Sequence, residues 1–198
     1  MKKHIAKHSK REIPPLDALQ KELKRERYRH RFRKLLRSTV NALIVVAAVA
    51  ALVATLVLPV LQIAGTSMAP SLSEGDIVML VKTKELETGD LCAFYYSNKI
   101  LIKRVIATPG DYIWIESDGT VFLNGNPLEE PYISEKALGE CDVEFPYQVP
   151  ENQYFVMGDQ RQTSIDSRSS VIGCVADDQI IGKIFCKLWP LKDFTLIN

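Results

Sequence analysis

From Ser38 to Ser73 the chain carries no ionisable side chain. Within that stretch Val40–Leu58 is nineteen residues long, and only Asn41 and Thr55 are not strongly apolar. As a helix this segment spans about 28 Å against a hydrocarbon thickness of about 30 Å, which is enough to cross a bilayer. Pro59 marks its natural end, because proline cannot continue the helical hydrogen-bond ladder. Charge is segregated on either side. Residues 1–37 hold fourteen Lys/Arg and four Asp/Glu, whereas residues 64–198 hold eleven and twenty. The net charge of +1 thus conceals a basic arm and an acidic remainder, and gives no reason to expect a nucleic-acid partner. The cations ahead of the span predict a cytoplasmic N-terminus and an extracytoplasmic remainder in a single-pass protein of the cell membrane. A cleaved secretory signal would have an apolar region of ~7–15 residues behind a short basic segment. This one is longer and follows 37 residues. Three regions are expected: a basic, partly helical cytoplasmic arm over 1–37, a transmembrane helix with its exit segment over 38–63, and a separate domain over 64–198.

Met1–Pro15 is polar, contains two prolines and is expected to be disordered. Leu16–Arg37 has no Gly or Pro and is expected to run as a helix towards the membrane. Its basic face suits either contact with anionic lipid or a solvated stalk that fixes topology. After the span, short apolar runs alternate with turn residues. Ile77–Val81, Leu91–Tyr96, Ile100–Thr108, Tyr112–Glu116, Thr120–Leu123, Tyr154–Met157 and Gln179–Trp189 read as strands. Ser97-Asn98-Lys99 reads as a hairpin connection, and Ser117-Asp118-Gly119 and Asn124-Gly125 carry turn chemistry. Leu128–Pro150 is acidic, holds three prolines and reads as a loop excursion. The fold class is a mostly β domain behind one N-terminal transmembrane helix.

Several mechanisms are excluded at once. The three histidines, His4, His8 and His30, all precede the span, so the external domain has no imidazole for a Ser-His-Asp triad, a Cys-His pair or a His-ligated zinc. The four cysteines, Cys92, Cys141, Cys174 and Cys186, form no CxxC pair, which disfavours an all-cysteine metal site. Neither metal nor cofactor is implied. In an oxidising compartment three disulfide pairings are open. Cys141 with Cys174 is the preferred one, since both flank a segment returning to the candidate site; buried thiols suit Cys92 and Cys186.

Three segments carry chemistry. Gly65–Leu72, just past the membrane, presents Ser67 among small residues, although a lone loop serine is ordinarily a turn hydroxyl. Thirty-six residues later, Lys103 and Arg104 interrupt the apolar run Ile100–Ile106. Alternation places Lys103 with Leu101 and Val105, and Arg104 with Ile102 and Ile106, so burial of either face buries one cation. A lysine can answer burial by losing its proton; an arginine cannot. A neutral amine beside a serine hydroxyl is the Ser–Lys form of nucleophilic catalysis, although an edge-strand Lys that discourages aggregation fits the spacing equally well. The third segment, Gly158–Arg168, is a polar run between apolar strands in which Asp166 and Arg168 can pair and Ser164 can hold the Lys103 amine. A solvated turn is its plainer reading.

In this order behind an N-in span, the segments resemble the type I signal peptidases of bacteria. The match comprises the S-M-x-P-S-L box at Ser67–Leu72, the K-R-V-I box at Lys103–Ile106 followed by Pro109-Gly110-Asp111, the G-D-x-x-x-x-S-x-D-S-R box at Gly158–Arg168, and Gly182-Lys183-Ile184 leading to Trp189-Pro190. The resemblance implies a serine endopeptidase that removes signal peptides from secretory preproteins at A-x-A-like sites. It makes Ser67 the nucleophile, its backbone N–H an oxyanion donor, and Lys103 the general base. Ser164 would orient the amine, and Asp166 with Arg168 would brace the site. Met68, Leu72 and Ile102 would line shallow substrate pockets. Gln160 stands where the family usually has Asn, and Gly65 offers no side-chain oxyanion donor. The short stretch between Lys103 and Gly158 implies a Gram-positive-like, single-span form. A self-cleaving Ser–Lys protein and a non-catalytic membrane-tethered β module remain as alternatives.

Overall fold

The computed structural model describes residues 16–57 and 59–197. The arm segment Met1–Pro15 lies outside the described residues. The first element is one continuous α-helix, α1 (Leu16–Val57), 42 residues long. It runs without a break from the basic stretch into the apolar one, because no Gly or Pro interrupts it. It contains a candidate membrane span by length and composition. Leu43, Ile44, Val45, Val46 and Leu52 are at least 60% exposed, a surface suited to lipid rather than water. The described chain falls into two units that divide between Leu52 and Val53.

The second unit is built from twelve strands: β1 (Val60–Gln62), β2 (Ile77–Val81), β3 (Leu91–Tyr96), β4 (Lys99–Ala107), β5 (Tyr112–Ile115), β6 (Val121–Leu123), β7 (Asn126–Pro127), β8 (Tyr147–Gln148), β9 (Gln153–Met157), β10 (Val175–Ala176), β11 (Ile180–Trp189) and β12 (Thr195–Leu196). They form an eight-stranded sheet in the order β1-β2-β11-β3-β4-β9-β10, with β12 also on β11, and a four-stranded sheet in the order β7-β6-β5-β8. Every pairing is antiparallel. All seven strands expected from hydrophobic patterning are present, with ends shifted by a residue at most. The patterning misses β1, β7, β8, β10 and β12, which are two or three residues long and too short for any period to register. The β3–β4 hairpin closes through Ser97 and Asn98 alone, with Lys99 already paired to Tyr96. Ser97 adopts the left-handed conformation such a tight turn demands.

β4 is paired on both edges, and packing covers both of its faces over Lys103 to Ala107, which are all buried. Leu101 and Val105 join one apolar cluster with Cys92, Phe94 and Val156. Ile102 packs on a second, around Ile63, Met68, Leu72 and Ile184, and Ile106 belongs to a third under the small sheet. The excursion from 128 to 150 is mostly irregular, as expected, yet Leu128, Leu138, Phe145 and Tyr147 dock on that third cluster. One expectation is corrected. Cys141 and Cys174 are not joined; all four cysteines are free thiols. Cys141 Sγ points to the Val143 carbonyl, while Cys174 Sγ meets the Tyr147 hydroxyl. Burial pushes the Cys92 thiol up to about 12, with Asp90 adding to the effect, so it is an inert core group.

Candidate active site

Ser67 sits in the turn that leads into Leu72. Gly65 enters it with φ +87°, a conformation that disfavours any side chain. Ala69 N–H then donates to the Thr66 carbonyl (3.0 Å), and Leu72 N–H to the Met68 carbonyl (2.9 Å). Met68 and Leu72 thereby point into the core, 2% and 0% exposed, and anchor the turn. Ser67 is left half-buried, and no backbone carbonyl among the described residues takes its N–H.

Ser67 and Lys103 line the same cleft of about 290 Å³, together with Gln62, Met68, Ile100 and Ile102. Leu72 does not line this cleft; it is core beneath the turn. Lys103 is 4% exposed and forms no ion pair among the described residues. Its Nζ donates to Ser164 Oγ at 2.8 Å. Burial pulls its pKa below the ordinary lysine value; Asp166 opposes this, Arg168 adds to it, and Asp159 opposes it more weakly.

Arg104, the next residue, is also buried and is treated differently. Asp159 accepts from its Nε (2.8 Å) and Nη2 (2.6 Å), while Gly89 O and Ser71 Oγ take two more bonds. Both neighbouring cations are thus buried on opposite faces of β4. The one that cannot lose its proton receives a carboxylate, and the one that can receives only a hydroxyl.

The polar run over 158–168 closes the site. Gln160 N–H donates to the Ser67 carbonyl (3.0 Å), so a backbone hydrogen bond ties the loop directly to the serine turn. Asp166 and Arg168 form a bidentate pair at 2.8 Å on both arms, each 0% exposed. Asp166 also accepts the Gly158 N–H (2.9 Å). Burial works against its charge, but the Arg168 guanidinium and these hydrogen bonds, one from Ser164, hold its carboxyl below the usual range. Arg168 reaches further, to the carbonyls of Leu138 (2.6 Å), Ala137 (3.2 Å) and Ser164 (3.3 Å). Gly158 is where these parts converge: a Cβ there would lie 2.2 Å from Ser164 Oγ and 2.6 Å from the Ser67 carbonyl oxygen. Gly158→Ala is accordingly expected to push Ser164 and the serine turn apart. Displacements of this size cost on the order of 10²-fold in rate, and a peptide-cleavage assay of the variant checks it. Sequence reasoning did not single out Asp159, Arg161, Glu130 or Tyr132. The signal for Asp159 was available, since a buried Arg104 required a carboxylate partner.

Residues 36–189 match the family described as "Signal peptidase, peptidase S26". The chain belongs to the S26 family of signal peptidases. Signal peptidase IB of Staphylococcus aureus is 34% identical over 152 residues, covering 67% of this chain and 78% of that protein. Signal peptidase I of Bacillus licheniformis is 35% identical over 144 residues, covering 66% and 76%. The crystal structure of a signal peptidase I from Enterococcus faecalis V583 is 28% identical, with a TM-score of 0.41, covering 50% of this chain and 96% of that one. This S26 peptidase is a serine endopeptidase of the signal-peptide-removing class, which replaces the non-catalytic binding module, and its α1 holds a candidate membrane span.

Proposed function

We propose that this signal peptidase cleaves secretory preproteins after their apolar segment by a Ser67–Lys103 dyad, on the extracytoplasmic side of a single membrane pass. One observation carries the reading: Lys103, whose buried amine has a hydroxyl and no carboxylate as partner, lines the same cleft as Ser67. A neutral amine has two N–H bonds and one lone pair. One N–H is engaged by Ser164 Oγ, which leaves the lone pair for the Ser67 hydroxyl proton. Ser67 Oγ then attacks the scissile carbonyl, the Ser67 N–H holds the developing oxyanion, and the leaving amine takes the proton back from Lys103. Water, deprotonated by the same amine, releases the acyl group and restores the serine. Asp166 and Arg168 fix the loop that presents Ser164. Ile100–Lys103 along one wall of the cleft offers backbone to an extended substrate, and the small spaces beside Met68 and Ile102 favour A-x-A-like side chains. The basic residues before the apolar stretch of α1 favour a cytoplasmic N-terminus, and no metal or cofactor takes part.

The test is incubation of the full-length protein in detergent with a labelled preprotein across a range of pH. Cleavage in trans at one site is expected, with a rate that rises with pH. The sign follows from burial: Lys103 is active when deprotonated, and its pKa lies below the ordinary 10.5, so the rising limb has its midpoint below that value. A rate that falls with pH over the same interval, or no cleavage in trans, overturns the dyad.

A further inference from the structure

Behind the dyad, on the opposite face of β4, six residues close a ring of contacts. The Arg104 guanidinium lies 3.8 Å from the centre of the Tyr132 ring. Tyr132 Oη donates to Glu130 Oε1 at 3.1 Å. Glu130 pairs with Arg161 through both of its oxygens, and Arg161 Nε donates to the Gly158 carbonyl at 3.1 Å. Gly158 is bonded to Asp159, and Asp159 returns the circuit to Arg104. Arg161 and Glu130 are within 2% of complete side-chain burial, so little water competes for these bonds. Burial, reinforced by Glu130, raises the Tyr132 hydroxyl above its ordinary value, which keeps it a proton donor.

The ring holds two points that matter for catalysis. Arg104 adjoins Lys103 in the strand, so fixing Arg104 on its face fixes the direction in which Lys103 leaves the other. Gly158 is the wall against which Ser164 Oγ and the Ser67 carbonyl rest. Only Glu130 and Tyr132 come from the irregular excursion rather than from the Ser67 turn, β4 or the polar loop. Resting on the dyad reading above, we propose that Tyr132, held by Glu130, is a positioning residue that keeps the Ser67–Lys103–Ser164 constellation in register by clamping Arg104 and Gly158 from behind. The groups facing Lys103 are Ser164, Asp166, Arg168 and, more weakly, Asp159, all from the polar loop. Those facing Tyr132 are Arg104, Glu130 and Arg161.

The experiment compares full-length wild type, Tyr132→Ala, Tyr132→Phe and Glu130→Gln in preprotein cleavage, with kcat and KM measured across pH and melting temperature in parallel. Tyr132→Ala is expected to lower kcat by about 10- to 100-fold with KM little changed. Its rising limb should move to higher pH as the loosened site admits water around Lys103. Tyr132→Phe keeps the stacked ring and should restore the wild-type limb, with Glu130→Gln falling between them. A Tyr132→Ala profile that superimposes on wild type, or one lowered equally at every pH in proportion to lost folded protein, overturns the proposal. Loss of the rising limb in wild type itself would instead overturn the dyad, so the two failures are distinguishable.

Discussion

Lys103→Met is expected to lower the rate of preprotein cleavage by more than about 10⁴-fold while leaving the protein folded, and Ser67→Ala should do the same. Removing either member of a nucleophile–base pair removes the whole covalent route, so the double variant should be no worse than either single one. Lys103→Arg separates charge from basicity. Arginine retains the cation and much of the length but cannot surrender a proton, so it should be as inactive as methionine. The stability readout carries independent information. Because burial lowers the folded-state pKa of Lys103, the folded protein binds fewer protons here than the unfolded chain does between the lowered value and 10.5. The site therefore carries a penalty that grows as the pH falls from 10.5 through the lowered value and is complete beneath it. Methionine removes that penalty, so Lys103→Met should melt at or above the wild-type temperature at neutral pH. A variant that keeps normal turnover eliminates Lys103 as the base. One that melts well below wild type shows instead that the amine is a structural hydrogen-bond donor.

Much of this was legible in the sequence, and the reasons differ by region. The candidate membrane span was readable because a bilayer imposes a length and a composition that few other environments demand. The long strands were readable because their periods repeat several times; β7, β8, β10 and β12 hold two residues each, and no period can be seen in two residues. At the site, Lys103 stood out as an interruption of an apolar run, and the absence of histidine after the span narrowed the chemistry to an amine. The same interruption implied one buried cation, whereas the structure buries two, because packed side chains and loops cover both faces of β4 at that point. The partner for Arg104 lies 55 positions away, and the ring through Tyr132 and Glu130 joins segments whose order in the chain says nothing about their distance in space. Leu72 of the serine box is placed in the core beneath the turn, an anchoring role that its position in the motif does not announce. The unpaired Cys141 and Cys174 show the limit of arguing a disulfide from flanking positions alone, since each sulfur already has a different neighbour.

Arg168→Ala should be among the most destabilising single substitutions in the domain. Its guanidinium holds Asp166 through two bonds and three backbone carbonyls besides, and both side chains are fully buried. Removing it leaves an uncompensated carboxylate in the interior together with orphaned acceptors on Ala137, Leu138 and Ser164. Breaking one side of such a pair costs about 3–5 kcal/mol, or roughly 6–20 °C in melting temperature for a domain of this size. The pH dependence distinguishes lost charge pairing from lost packing. In wild type the Asp166 carboxyl lies below the usual carboxylate range even though burial opposes it, because Arg168 overcomes burial; its contribution is present above the unfolded value and is lost as the pH falls through the folded one. Without Arg168, burial is opposed only by the Gly158 and Ser164 hydrogen bonds and moves the same carboxyl upwards, so the penalty on the ionised form eases as acid protonates it. The gap in melting temperature between wild type and Arg168→Ala should therefore narrow from pH 7 towards pH 4. A gap that stays constant over that range would mean that the missing volume of the arginine, rather than the orphaned charge, is what the domain cannot tolerate.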